Sequence, residues 1–237
     1  MLQQVNLKNV LVLDVETVPQ YASAEEIPAN LLELWAHKTR FMRKDGETPE
    51  EYYSKAGIFA EFGKIICISF GMYIKRQGKL SFRIKSIAGH HEKEILCAFI
   101  EILKKQPANV VLCAHNGKEF DFPYLCRRML INGLEIPACL QIAGKKPWEI
   151  NHLDTMELWK FGDYKNYTSL HLLATIFGIP SPKDDMEGSD VHRVYWKDQD
   201  LQRIQTYCQK DVLTTAQLLL RFKGLPSISD DAVSIVS

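Results

Sequence analysis

The run NVLVLDVETVP, residues 9–19, constrains the fold more than any other stretch of the chain. Val10, Leu11, Val12 and Leu13 are apolar without alternation, which a strand tolerates only where both of its faces are covered. Such a strand belongs in the middle of a sheet flanked by helices. The run then reaches Asp14 and Glu16 with no break. Two residues apart in a strand, these acids project from one face with their Cα atoms about 6.7 Å apart. Two unit charges 4 Å apart repel by about 4 kcal/mol at an effective dielectric near 20, and a divalent cation between them reverses the sign. A turn or a helix cap is the simpler account of an isolated Asp-x-Glu, so the choice depends on further acids.

After Pro19 comes a polar, helix-prone segment, residues 21–57. In it Thr48-Pro49-Glu50-Glu51 has the spacing of a helix start with a capping threonine. KIICISFGMYI, 64–74, predicts a second strand. Gln77-Gly78 then turns the chain into KLSFRIKSI, where Leu80, Phe82 and Ile84 alternate with polar residues as in a hairpin partner with one wet face. The spacing of apolar residues predicts a helix over 91–105, and NVVLCA, 109–114, reads as another buried strand. Helices are predicted over Phe122–Ile131, Ser169–Phe177 and Asp200–Phe222; the last twelve residues carry little pattern and read as a mobile tail. Strands first, then alternating helix and strand, imply an α/β protein with a mixed sheet and helices on both faces.

Two further groups bear on the acids. In CAHNGKEFDFPYLCRRML, 113–130, a strand ends at Ala114, a polar loop follows, and Asp121 arrives at a helix start. An Asp there is commonly a cap worth about 1 kcal/mol. Asn116 and Phe120, an aromatic able to stack on a base, stand close by in the sequence. In TYCQKDVLTTAQLLL, 206–220, Tyr207 and Asp211 lie about one turn apart on one helix face. They read either as a phenol bonded to a neighbouring acid, or as a metal-binding carboxylate with a phenol that orients water. Asp154 reads as a structural or outer-shell acid, and His115 as packed or hydrogen-bonded.

Composition narrows the function classes. Of 237 residues, 29 are Lys or Arg and 29 are Asp or Glu, so no global basic field drives nucleic-acid binding and any such partner is held locally. Arg127 and Arg128, Lys145 and Lys146, and the cluster Lys38, Arg40, Arg43 and Lys44 are the available phosphate contacts, though an ordinary solvated face is the simpler account of each. Six cysteines without a Cys-x-x-Cys pair argue for reduced core thiols and against a zinc centre or a disulfide framework. No signal pattern and no membrane-length apolar run occur, which predicts a soluble cytoplasmic protein.

Taken together, Asp14-x-Glu16, Asn116-x-x-x-Phe120-Asp121 and Tyr207-x-x-x-Asp211 resemble the three motifs of the DnaQ-like 3′–5′ exonucleases of ribonuclease H fold. The subclass is the one with four acids and a tyrosine (DEDDy): the histidine subclass has His five residues before the last Asp, and Thr206 stands there. EFGKIICISFG, AHNGKEFDFPYL, HLDTMELW and YCQKDV further resemble stand-alone exonucleases related to the proofreading domain of family B DNA polymerases. The resemblance spans residues 9–222. It implies a ribonuclease H-like mixed sheet and two divalent cations, Mg²⁺ or Mn²⁺, about 3.5–4 Å apart on Asp14, Glu16, Asp121 and Asp211. Asp14 would bridge them and Tyr207 would orient the attacking water. Thr17, Val18, Asn116 and Phe120 would meet the substrate, a single-stranded nucleic acid with DNA ahead of RNA, and Lys183 would approach it. The expected layout is an exonuclease domain, 1–224, with a helical insertion at 21–57, a tail, 225–237, and no attached polymerase domain. An exoribonuclease and a catalytically silent nucleic-acid-binding scaffold are the alternatives.

Overall fold

A computed structural model describes residues 2–76, 78–163, 167–180 and 186–236. The elements run β1 (Val10–Pro19), α1 (Ala29–Thr39), β2 (Gly63–Arg76), β3 (Lys79–Ala88), α2 (Glu92–Lys104), β4 (Val111–Ala114) and α3 (Asp121–Ile131). They continue with β5 (Leu153–Asp154), α4 (Thr155–Lys160), α5 (Leu170–Ile176), α6 (Val191–Trp196), α7 (Leu201–Phe222) and β6 (Val233–Val236). Six strands form one mixed sheet in the order β5-β4-β1-β2-β3-β6. β1 pairs antiparallel with β2 and parallel with β4.

The unalternated run at the start of β1 is covered on both sides. Leu11, Leu13 and Val15 face a core shared with Leu96 and Phe99 of α2 and Phe122 and Leu125 of α3. Val10 and Val12 face the other way, onto Val212, Ala216 and Leu219 of α7. This is the expected mixed α/β sheet with helices on both faces, and it has the layout of a ribonuclease H-like exonuclease fold. Among the described residues no helix is long and apolar enough to cross a membrane.

Segment 21–57 forms α1 and a 3₁₀ stretch, Glu51–Ile58, around its own aromatic cluster of Trp35, Tyr52, Tyr53 and Phe62. The Thr48 signal is realised: Glu51 N–H donates to Thr48 Oγ1 at 3.2 Å, and Thr48 N–H to Glu51 Oε2 at 2.8 Å. Gly57 anchors the segment, since a Cβ there would lie 3.1 Å from the backbone of Val18. Its carbonyl accepts the Tyr124 hydroxyl at 2.7 Å.

Three expectations are corrected. The C-terminal residues are not a patternless tail, because Val233–Val236 pairs parallel with β3 as the sixth strand; a four-residue edge strand leaves too short an alternation to be read from sequence. Arg128 is no phosphate ligand, for it is buried and bonded to Glu92 through Nε at 2.8 Å and Nη2 at 2.5 Å. The cysteines are free, but Cys97 is exposed rather than in the core. The predicted turn residue Gln77 lies outside the described residues; Gly78 beside it takes φ +80°.

Candidate active site

β4 is short, and this creates the site. Its pairing with β1 runs from Val10 opposite Val111 to Val12 opposite Cys113. Beyond that point the edge of β1 that carries Asp14 to Glu16 faces a crevice at the carboxyl end of β4, where open α/β sheets commonly bind ligands. The alternation that turns Val10 and Val12 toward α7 turns Asp14 and Glu16 the same way. A bulge then follows, with Glu16 opposite Cys67 but Thr17 opposite Ile65. The extra residue is Ile66 of β2, so the alternation of β1 runs on unbroken and Val18 stays on the face of Asp14 and Glu16.

Asp121 enters from across the crevice. It opens α3 and is buried, and the charge of Asp14 bears on its carboxylate. From the α7 side come Tyr207 and Asp211, whose side chains are hydrogen-bonded to each other. The phenol is thus bonded to a neighbouring acid. Gly188, in a 3₁₀ turn over Gly188–Asp190, abuts it: a Cβ there would stand 4.0 Å from the Tyr207 hydroxyl.

The charges show how closely these groups converge. Burial, opposed by hydrogen bonds from Cys208, Glu16 and Val15, pushes Asp14 up from 3.8 to about 6. Glu16 is driven well above the usual carboxylate range by burial and then by the charges of Asp14, Asp211, Cys67 and Asp121. Asp121 rises for the same reasons, burial first and Asp14 next. Tyr207 rises through burial and the negative charges of Asp211, Glu16 and Asp14. Asp14 Oδ2 is buried with no hydrogen-bond partner. Carboxylates from β1, α3 and α7 therefore bear on one another here. An all-oxygen set of this kind fits a hard divalent cation.

The residues expected at the substrate fare differently. Asn116 takes φ +62°, and its Oδ1 is buried without a partner. Its loop is held by Asp154, whose carboxylate accepts N–H groups from Asn116 at 2.9 Å, Lys118 at 3.0 Å, Met156 at 2.9 Å and Glu157 at 3.2 Å. Asp154 is thus the structural acid expected. Thr17 is half-buried at the start of the bulge. Val18, by contrast, points its side chain into the core with Ile66, Cys67, Val194 and Ile204, so only its backbone is left to meet a ligand. Phe120 is half-buried, its ring packed on Tyr124 at 5.3 Å. His115 donates through Nε2 to the Thr168 carbonyl at 2.9 Å and pairs through Nδ1 with the Thr155 hydroxyl at 2.9 Å. Lys183 lies outside the described residues.

One neighbour escaped the sequence reading. Donor atoms of Asp14, Glu16 and Cys208 lie within 4.8 Å of one another. The available signal was helical spacing, since Cys208 stands three residues before Asp211 and so shares its face of α7.

Comparison with known proteins gives the family. A DNA polymerase of Pyrococcus glycovorans is 22% identical over 189 residues, which are 71% of this chain and 23% of that protein. A DNA polymerase of Pyrococcus horikoshii is 24% identical over 208 residues, 76% of this chain and 16% of its own length. The chain therefore spans about a quarter or less of these relatives. Residues 58–231, from the end of the 3₁₀ stretch before β2 to the turn before β6, match a family described as a predicted 3′–5′ exonuclease related to the exonuclease domain of PolB. By that match the chain belongs to this exonuclease family, a family of hydrolases related to the PolB exonuclease domain.

Proposed function

We propose that the chain is a divalent-metal-dependent 3′–5′ exonuclease that hydrolyses phosphodiester bonds at the 3′ end of single-stranded nucleic acid, DNA ahead of RNA. The observation that carries this reading is the crowding of Asp14, Glu16, Asp121 and Asp211, with Asp14 Oδ2 buried and unpartnered. DNA is preferred because the relatives are DNA polymerases. The unit proposed to carry the reaction is residues 1–224, including the helical segment 21–57.

The four carboxylates, Asp14, Glu16, Asp121 and Asp211, would hold two ions, Mg²⁺ or Mn²⁺. Bound there, the pair supplies an activated water and neutralises charge on the scissile phosphate and the departing 3′ oxygen. The protein does the positioning. Tyr207, whose hydroxyl is fixed against Asp211, accepts and orients the attacking water. Asn116 Oδ1 and the backbone of Thr17 and Val18 line the place of the terminal nucleotide. Phe120 backs this wall through its packing on Tyr124.

The test is digestion of 5′-labelled single-stranded DNA and RNA of matched sequence with Mg²⁺, Mn²⁺ or chelator. Stepwise shortening from the 3′ end is expected, abolished by chelator and by Asp14→Ala. Faster loss of RNA would move the reading to an exoribonuclease. Undiminished digestion by Asp14→Ala, or binding without cutting by the wild type, would overturn it.

A further inference from the structure

We infer that Asp14, Glu16 and Cys208 form a site for one thiophilic divalent cation, such as Zn²⁺ or Cd²⁺, exclusive of the hard-ion pair. The inference rests on the reading of the acid cluster as a metal cradle, but not on the reaction proposed for it.

The donor atoms of these three residues lie within 4.8 Å of one another. A tetrahedral zinc with oxygen ligands at about 2.0–2.2 Å and sulfur at about 2.3 Å sets its donors roughly 3.3–3.6 Å apart. Closing the difference takes about an ångström, within reach of side-chain rotation. Asp14 Oδ2 is buried and has no hydrogen-bond partner, so at least one donor is already desolvated and uncommitted.

The thiol is held at the site by its surroundings. Cys208 Sγ donates to the Asp14 carbonyl at 3.4 Å, which fixes α7 against β1 at this point. Its sulfur lies in the same buried cluster as Cys67, the residue opposite Glu16 in the β1–β2 register. Cys208 and Asp211 are three apart on α7 and share one helix face. An ion on Asp14 and Glu16 therefore has two available partners from that helix. A hard ion selects the Asp211 carboxylate. A thiophilic ion selects Cys208, which binds as the thiolate, its proton leaving to solvent. Both arrangements use Asp14 and Glu16, so they exclude each other.

Cadmium is the direct probe, because thiolate ligation produces an ultraviolet charge-transfer absorption that carboxylates alone do not. The metal-free full chain titrated with Cd²⁺ should develop this band, and excess Mn²⁺ should suppress it. In Cys208→Ser the band should shrink, and Cd²⁺ affinity should fall at least about tenfold. Glu16→Gln, which keeps the thiol, should weaken the band by a similar factor, and circular dichroism establishes that each variant is folded. Equal band and affinity in wild type and Cys208→Ser would overturn the inference, as would a full band in Glu16→Gln. Mn²⁺ binding by the wild type without any cadmium–thiolate band would sink this inference alone. Failure to bind either ion would sink the metal cradle itself.

Discussion

The Asp154 carboxylate accepts the backbone N–H of Asn116 at 2.9 Å and so ties the end of β5 to the loop that closes the crevice. The same carboxylate takes the N–H groups of Lys118, Met156 and Glu157. Asp154→Ala leaves four backbone donors without their charged acceptor, two in the loop and two in the first turn of α4. A loss of about 3–5 kcal/mol is expected, or roughly 10 °C in thermal midpoint. Exonuclease activity per folded molecule should also fall, because Asn116 and Asp121 are approached through this loop. A thermal midpoint unchanged in Asp154→Ala would contradict the assignment.

Arg128 yields a prediction of the opposite kind, large in stability and silent in substrate binding. Its guanidinium is committed to both oxygens of Glu92 and to the Ala60 carbonyl at 2.8 Å. Glu92 in turn takes the N–H of Ile65 at 2.7 Å and the Asn132 amide at 2.8 Å, so the group joins α2, α3 and β2. Removing the arginine strands a buried carboxylate, at a cost of about 3–5 kcal/mol. Arg128→Ala should therefore lower the denaturation midpoint strongly while leaving KM for single-stranded DNA unchanged at a temperature where it is folded. A raised KM in the folded variant would return Arg128 to the substrate.

Much of this architecture was legible in the sequence because its signals were local. Val10 to Leu13 announced a strand buried on both faces, and the 3.6-residue spacing of 95, 96, 99, 100 and 103 announced α2. The acids read as a set only because three short patterns agree in order and context. What escaped was set by tertiary contacts. Nothing in VSIV, 233–236, says that it pairs with β3. Val18 reads as a residue beside the site, yet its side chain is fully buried against Ile66, Cys67, Val194 and Ile204. Arg128 looks like half of a basic pair, and only the fold brings Glu92 to it across 36 positions. Cys208 looked like one more core thiol until β1 and α7 were brought together.

The carboxylate cluster predicts a stability that falls with rising pH when metal is removed. Asp14 is raised from 3.8 to about 6, so between these values the native state keeps a proton that the unfolded chain has released. Stability is lost as pH rises through that window, and the penalty is complete above pH 7. Glu16 and Asp121 shift in the same direction. His115, His152 and His192, lowered by burial, act oppositely, so the comparison must be with Asp14→Asn. In chelator, the wild type should lose on the order of 5 °C more than this variant between pH 5 and pH 7.5. Mg²⁺ or Mn²⁺ should restore most of the difference at the higher pH. Parallel curves for the two proteins would show that burial does not raise Asp14.

Tyr207 separates ion holding from catalysis. Its hydroxyl bonds Asp211, and its ionisation is opposed by burial and by Asp211, Glu16 and Asp14, so it remains a neutral phenol at working pH. A neutral hydroxyl can donate to one carboxylate while accepting from one water, which suits orientation and not proton removal. Tyr207→Phe keeps the ring in place and deletes only that hydroxyl. Metal affinity should stay within a few-fold of the wild type, since all four acids remain, while kcat should fall by about a hundredfold with little change in KM. Because the phenol does not titrate, the shape of the pH–rate profile should survive the substitution, lowered uniformly. If Tyr207→Phe instead shifted that profile by a full pH unit, the tyrosine would be acting as an acid or base, and the water-orienting role would have to be given up.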